Sequence, residues 1–509
     1  MSREASVIRN GSIVEAARRT LRRADIAVRD GMIDAIIPPG APAPADAKTI
    51  DATDRLLMPG LVNAHTHSHG NLVRSAGDRW TLELGIHLNT AIRRNQTLED
   101  KYLGALLGAV EMVRKGCTAC YDLVSEVPFP TEEGLEAVAR AYADVGMRAV
   151  VAPMMASHSI YHALPGLLDH MPPAWRERVR HFDGDADRLN LDMTRRALES
   201  WRFDRSDVRL AIAPTIPLHC SDAFWKDAAA LAREHGVGLH THLAESKLQA
   251  VAGMERYGCT LTEHLDRLGV LAPNLTAAHG VWLDDDDVRR LADRGCSIAH
   301  NPGSNMRYGS GLAAVRRMLD AGVTVGIGTD SRSCSDNLNM FEAMRLASFT
   351  SRVRGPDYRR WLGTDEVFHM ATAGSARALG FENLIGKLEQ GCAADIVFLD
   401  RNDLNYVPLN DVTNQVVNAE DGTGVDAVMI AGRMIVERGR VVSVDTSTLA
   451  SRAEAAVSRM REANAGALAL AAAVEDEFGT YCRALGARTY HVDRFVDDAE
   501  RIRGSHRMA

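Results

Sequence analysis

No part of this 509-residue chain is an unbroken apolar run long enough to cross a bilayer, and no tract is of low complexity. The first thirty residues are interrupted throughout by Arg and Asp and lack the apolar core of a secretory signal, so a cytoplasmic protein with no membrane partner is expected. No basic stripe relieves a net charge of −8, which argues against nucleic acid as a partner. The eight cysteines make no disulfide framework in a chain this long. Cys117-Thr-Ala-Cys120 has no second pair and opens an apparent buried strand, so it reads as core rather than as a zinc or redox site. What remains is ordinary for a globular protein, with 46% hydrophobic and 25% charged residues.

The stretch around which the rest is organised is Met58-Pro-Gly-Leu-Val-Asn-Ala-His-Thr-His67. A short apolar run ends there in two histidines one residue apart. In a strand, residues i and i+2 share a face, so His65 and His67 would project together as half of a transition-metal site. In a loop the same spacing would mean little, so the reading depends on partners further along.

From residue 61 short apolar runs alternate with capped helical stretches. Strands are predicted at 61–67, 118–124, 147–154, 208–215, 237–244, 275–281, 297–301 and 323–330. Thr97, Thr131 and Ser221 are placed to cap helices that stop at Gly116, Gly146 and Gly236, and another helix is expected over 365–379. Eight strands with helices between them imply an α/β fold, a (β/α)8 TIM barrel spanning 58–384. An insert at 155–207 separates the third and fourth strands and is expected to form a lid or pocket wall. Residues 1–57 read as short strands with a hairpin turn at Asp30-Gly31, too small to enclose a core. Strand-like sequence returns at 394–399, 427–430 and 433–436, with a turn at Ala431-Gly432. The segments 1–57 and 385–445 are therefore expected to build one small composite β-sandwich. Residues 446–509 form a C-terminal extension, helical to about Leu485, suited to packing or to assembly as a homodimer or larger oligomer.

The chemistry lies at strand ends, which converge on one face of a barrel. His65, His67, His242, His279 and Asp330 all stand there, and three imidazoles with a carboxylate would hold one divalent ion and leave room for water. Spacing alone does not choose between His240 and His242, although His242 is nearer the strand's C-terminal end. Glu245, three residues on, is placed as a proton shuttle for hydrolysis of an amidine or amide; a helix N-terminal acid beside Ser246 would look the same. Zinc is the expected metal, and iron or manganese accept the same ligand types.

The ordered motifs Pro59 to His67, His242-Leu-Ala-Glu245, Ala278-His279-Gly280, His300-Asn-Pro-Gly-Ser-Asn305 and Gly328-Thr-Asp330 resemble the amidohydrolase superfamily. The likeness runs from about residue 24 to 440 and favours the branch of S-adenosylhomocysteine/methylthioadenosine deaminases, guanine deaminase and s-triazine hydrolases. It implies His65, His67, His242 and Asp330 as metal ligands, and Glu245, His279 and Asp330 as the groups that move protons and orient the attacking hydroxide. Superfamily members with two metals typically bridge them with a modified lysine at the end of strand four; this chain ends that strand Ile212-Ala-Pro-Thr215, so one metal is implied. Where adenosine-type deaminases place a substrate-contacting histidine after that proline, this chain has Thr215, with His219 four residues later. Arg74 and Trp80 on the 71–96 loop, His158 on the insert, Thr215, His219 and Asn305 are candidate substrate contacts. The expected reaction is deamination of an amino-substituted N-heterocycle, a small-molecule substrate. Release of chloride or an alkylamine, or opening of a ring amide or urea, are the rival hydrolyses. A non-catalytic structural paralogue would have lost motif positions, and every one is filled.

Overall fold

The computed structural model describes residues 5–42, 47–179 and 185–495. Parts of the 1–57 segment, the 155–207 insert and the C-terminal extension therefore lie outside the described residues. Eight parallel strands alternate with helices: Leu61–Thr66, Cys117–Val124, Arg148–Met155, a fourth in two pieces (Val208–Leu210 and Ala213–Pro214), Leu239–Leu243, Leu275–His279, Ser297–His300 and Thr324–Ile327. Strands one to four form one parallel sheet and strands five to eight another. Between the sheets, the His240 N–H donates to Ile212 O at 2.8 Å, and the Asp330 N–H donates to His65 O at 2.9 Å. The fourth strand breaks where Ile212 turns its pairing from the third strand to the fifth, and Pro214 has no N–H to give.

The helices begin and end where their caps require. Thr97 and Asp100 make a reciprocal capping box at the start of Leu98–Arg114, and Thr131 and Ser221 accept N–H groups at the starts of Glu132–Val145 and Asp222–His235. The last two stop at Gly146 and Gly236, whose φ of 79° and 62° a side chain would resist. The expected helix over 365–379 is instead three pieces: Thr364–His369, a π-helical Met370–Gly374, and Ser375–Ala378. Two hydroxyls explain the interruption. Thr372 Oγ1 donates to Phe368 O at 2.7 Å, and Ser375 Oγ accepts the Ile327 N–H at 3.0 Å while donating to Met370 O at 2.7 Å.

The chain ends meet in a seven-stranded sheet, where Ile396–Asp400 runs antiparallel to Arg55–Pro59. Four more N-terminal strands (Met32–Ile37, Asp25–Arg29, Ser6–Arg9 and Lys48–Asp51) form a second sheet. Ile8, Ile26, Leu57, Ile396 and Phe398 join both sheets in one apolar core. The tail forms helices Leu449–Ala472 and Glu475–Gly486, and the first lies along the Leu82–Ile92 helix.

Candidate metal centre and active site

Five of the strand-end groups meet. The His67 Nδ1–H donates to Leu123 O at 2.7 Å and the His242 Nδ1–H to Thr215 O at 2.7 Å. A carbonyl only accepts, so both imidazoles carry their proton on Nδ1 and present a bare Nε2 lone pair. Those two Nε2 atoms lie 3.2 Å apart, too close for two lone pairs with nothing electropositive between them. His65 Nε2 is buried with no hydrogen-bond partner, while its Nδ1 lies 3.2 Å from His240 Nε2. Asp330 Oδ1 stands 3.3 Å from His67 Nε2 and 3.8 Å from His65 Nε2. One ligand atom from each of His65, His67 and His242 lies within 4.8 Å of the others, and the same holds for His65, His279 and Asp330. Three converging lone pairs and a carboxylate, all buried, fit a divalent cation and fit little else.

His279 and Glu245 stand beside this cluster. His279 Nε2 is 3.4 Å from Glu245 Oε2 and 4.0 Å from Asp330 Oδ2, and the ring's other nitrogen donates to Asn305 Oδ1 at 2.9 Å. The Lys247–Tyr257 helix is capped by Ser246, so Glu245 is no helix-capping acid and its carboxylate is free to face the cavity. Burial, with the charges of Asp330 and Glu83 behind it, pushes the Glu245 carboxyl well above the usual carboxylate range. Burial would raise Asp330 too, yet His67 and His279 outweigh it and hold that carboxyl low. Burial lowers His279, and burial with His67 and His279 holds His242 down to about 3. Two acids a few ångströms apart are thus driven in opposite directions, the arrangement that separates a proton donor from a proton acceptor. Ala244, His279 and Asp330 also adopt left-handed backbone (φ 48°, 73° and 59°), a strain of order 1–3 kcal/mol each that collects at functional sites.

A cavity of about 980 Å³ opens onto the cluster. His158, Thr215 and His219 line it, and burial holds His219 down to about 4. The insert forms a wall through Ala156, Ile160, Tyr161 and Trp175. Arg74 and Trp80 lie outside the lining, Arg74 being exposed at the end of the 68–73 turn. Asn305 is buried behind His279 rather than facing the cavity. Unforeseen are His69, Arg93 and Tyr308, and the tip of the tail helix at Ala467, Leu470 and Ala471. His69 extends the alternation of His65 and His67 and could have been read from it; the others have no periodic signature.

The amidohydrolase family profile matches residues 56–435, from the strand before the first histidine pair to the sheet that closes the chain. This chain belongs to the amidohydrolase family. It is 34% identical to 5-methylthioadenosine/S-adenosylhomocysteine deaminase of Desulforudis audaxviator, covering 90% of this chain and 99% of that one. It is 32% identical to 5'-deoxyadenosine deaminase of Methanothermobacter thermautotrophicus, covering 90% and 100%. Among solved structures, a zinc-bound adenosine deaminase from Xanthomonas campestris superposes with a TM-score of 0.78 at 28% identity, covering 90% of this chain and 98% of that one. The zinc complex of an atrazine chlorohydrolase from Arthrobacter aurescens superposes at 0.79 with 25% identity, covering 89% and 99%. As an amidohydrolase, the protein is a hydrolase of carbon–nitrogen bonds.

Proposed function

We propose that this amidohydrolase is a mononuclear zinc enzyme that deaminates an amino-substituted N-heterocycle. The observation that carries the reading is Glu245, a buried carboxyl driven toward its protonated form, facing His279 and the Asp330 carboxylate at the floor of a cavity large enough for a heterocycle. His65, His67, His242 and Asp330 would hold the ion, which when bound makes hydroxide available from water near neutral pH.

The side chains then divide the proton work. Asp330 accepts the proton that water gives up, and His279, fixed by Asn305, orients the oxygen toward the ring carbon that bears the amino group. Glu245 passes its proton to the adjacent ring nitrogen, which makes that carbon more electrophilic. The proton held by Asp330 goes to the amino group, which leaves as ammonia, while the proton still on the added oxygen passes to Glu245 and the ring retains a carbonyl. Water and amine go in, carbonyl and ammonia come out, and both carboxyls are reset.

The two parallel sheets are read as halves of a closed barrel over 58–384, supported by the Ile212 and His65 hydrogen bonds that join them. The terminal sheets are read as a composite sandwich of 1–57 with 385–445, supported by their common core. Ammonia release from aminopurines, aminopyrimidines, pterins and aminotriazines, with metal content quantified, tests the reaction. Ammonia from one scaffold at one metal per chain, lost by about 10²–10⁴-fold in Glu245→Gln, is expected. Full metal occupancy without ammonia from any scaffold would sink deamination and leave halide, amide or urea hydrolysis.

A further inference from the structure

The cavity contains a cation with no counter-charge. Arg93 follows the Leu82–Ile92 helix, its backbone N–H donating to Asn89 O at 3.1 Å, and its side chain enters the cavity wall. Its Nη1 is buried without a hydrogen-bond partner, and its guanidinium makes no ion pair with any described residue. Burial draws its pKa down to about 10, the mark of a charge stripped of water and not repaid by a carboxylate. Arg93 interacts electrostatically with His69, whose ring centroid is 5.0 Å from that of His67, and with Tyr308, which in turn feels Asp330 and Glu245. The guanidinium therefore stands on the side of the cavity that adjoins the metal cluster.

The cavity's own acids do not answer it. Glu126 is held by Lys101 and Thr131, and Glu245 and Asp330 belong to the cluster. Two more arginines on the same lining, Arg94 and Arg178, are exposed and likewise bear no ion pair among the described residues. In a chain of net charge −8, the lining beyond the cluster carries three arginines against one carboxylate, Glu126, which Lys101 already neutralises. A partly desolvated guanidinium kept free of partners is unfavourable in the empty protein and becomes favourable when a planar anion fills its fork.

We infer that the substrate is an amino-heterocycle bearing a carboxylate, which Arg93 receives through paired N–H···O bonds while Arg94 and Arg178 attract it to the mouth. The heterocycle rests on the deaminase reading above; the anion does not. Matched carboxylate and carboxamide forms of an aminopyrimidine, a pterin and an aminopurine would be titrated by calorimetry into zinc-loaded wild type, Arg93→Gln and Arg93→Lys, with ammonia assayed in the same samples. At least one carboxylate should bind about 10- to 100-fold more tightly than its carboxamide. That preference should fall within about threefold in Arg93→Gln and be partly kept in Arg93→Lys, a rescue by charge that a merely structural arginine would not show. Absence of a carboxylate preference in every pair, or a preference unchanged in Arg93→Gln, would overturn the inference. Ammonia from neutral compounds with no carboxylate preference would remove the anion and leave deamination; a carboxylate preference with no ammonia would do the reverse.

Discussion

Asn305 holds the His279 ring from behind, its Oδ1 taking the Nδ1 proton so that Nε2 faces Glu245 and Asp330. Removing it frees the ring to rotate or to change tautomer without touching the ligand set. Asn305→Ala should lower kcat by about 10- to 100-fold, with KM and bound zinc little changed, in steady-state assays paired with metal analysis. The groups of the cluster were legible in the chain because parallel strands deliver their C-terminal residues to one face, and histidine at such an end is chemically distinctive. The choice of His242 over His240 was not settled by spacing. It follows from the Thr215 carbonyl, which fixes His242 Nδ1, whereas His240 turns back to His65 Nδ1. Arg93 was not legible at all. An arginine at the end of a helix reads as solvated, and only the packing of that helix brings it into the cavity.

The Leu82–Ile92 helix owes its position to the tail. Asn464, 2% exposed, donates from Nδ2 to Ile92 O at 2.7 Å and accepts from Asn95 Nδ2 at 2.8 Å. His87 Nε2–H donates to Ala471 O at 2.9 Å, and Tyr161 of the insert donates to its other nitrogen at 2.5 Å. Asn464→Ala removes the donor to the last carbonyl of the helix, a loss of about 1–3 kcal/mol in urea unfolding. Because Arg93 follows directly on Ile92, the same variant should raise KM more than it lowers kcat. Helical periodicity in the tail was evident from sequence, but which surface it covers was not, since an amphipathic helix specifies only that one face is buried. The π-helical turn at Met370–Gly374 escaped for a related reason: the hydroxyls of Thr372 and Ser375 redirect the backbone only once strand eight is beside them.

At the scale of the whole molecule, the cluster is a folding constraint as well as a reaction centre. Strands one, five, six and eight each deliver part of it, so a bound cation ties both parallel sheets together. Without one, the Nε2 lone pairs of His67 and His242 oppose each other at 3.2 Å in a buried site. Chelation should lower the thermal midpoint by roughly 5 °C or more in scanning calorimetry, and stoichiometric zinc should restore it. An unchanged midpoint after verified metal loss would mean the four side chains rest comfortably alone.

The tip of the Leu449–Ala472 helix contributes Ala467, Leu470 and Ala471 to the cavity wall, more than a hundred residues after Asp330, the last member of the cluster. Part of the cavity wall is therefore written in a stretch of the polypeptide separate from the cluster. Small apolar residues at that tip can be enlarged, shortened or exchanged with no change to the atoms that move protons. Such a chain can reshape one wall of its cavity by revising that helix, keeping the cluster intact at every step.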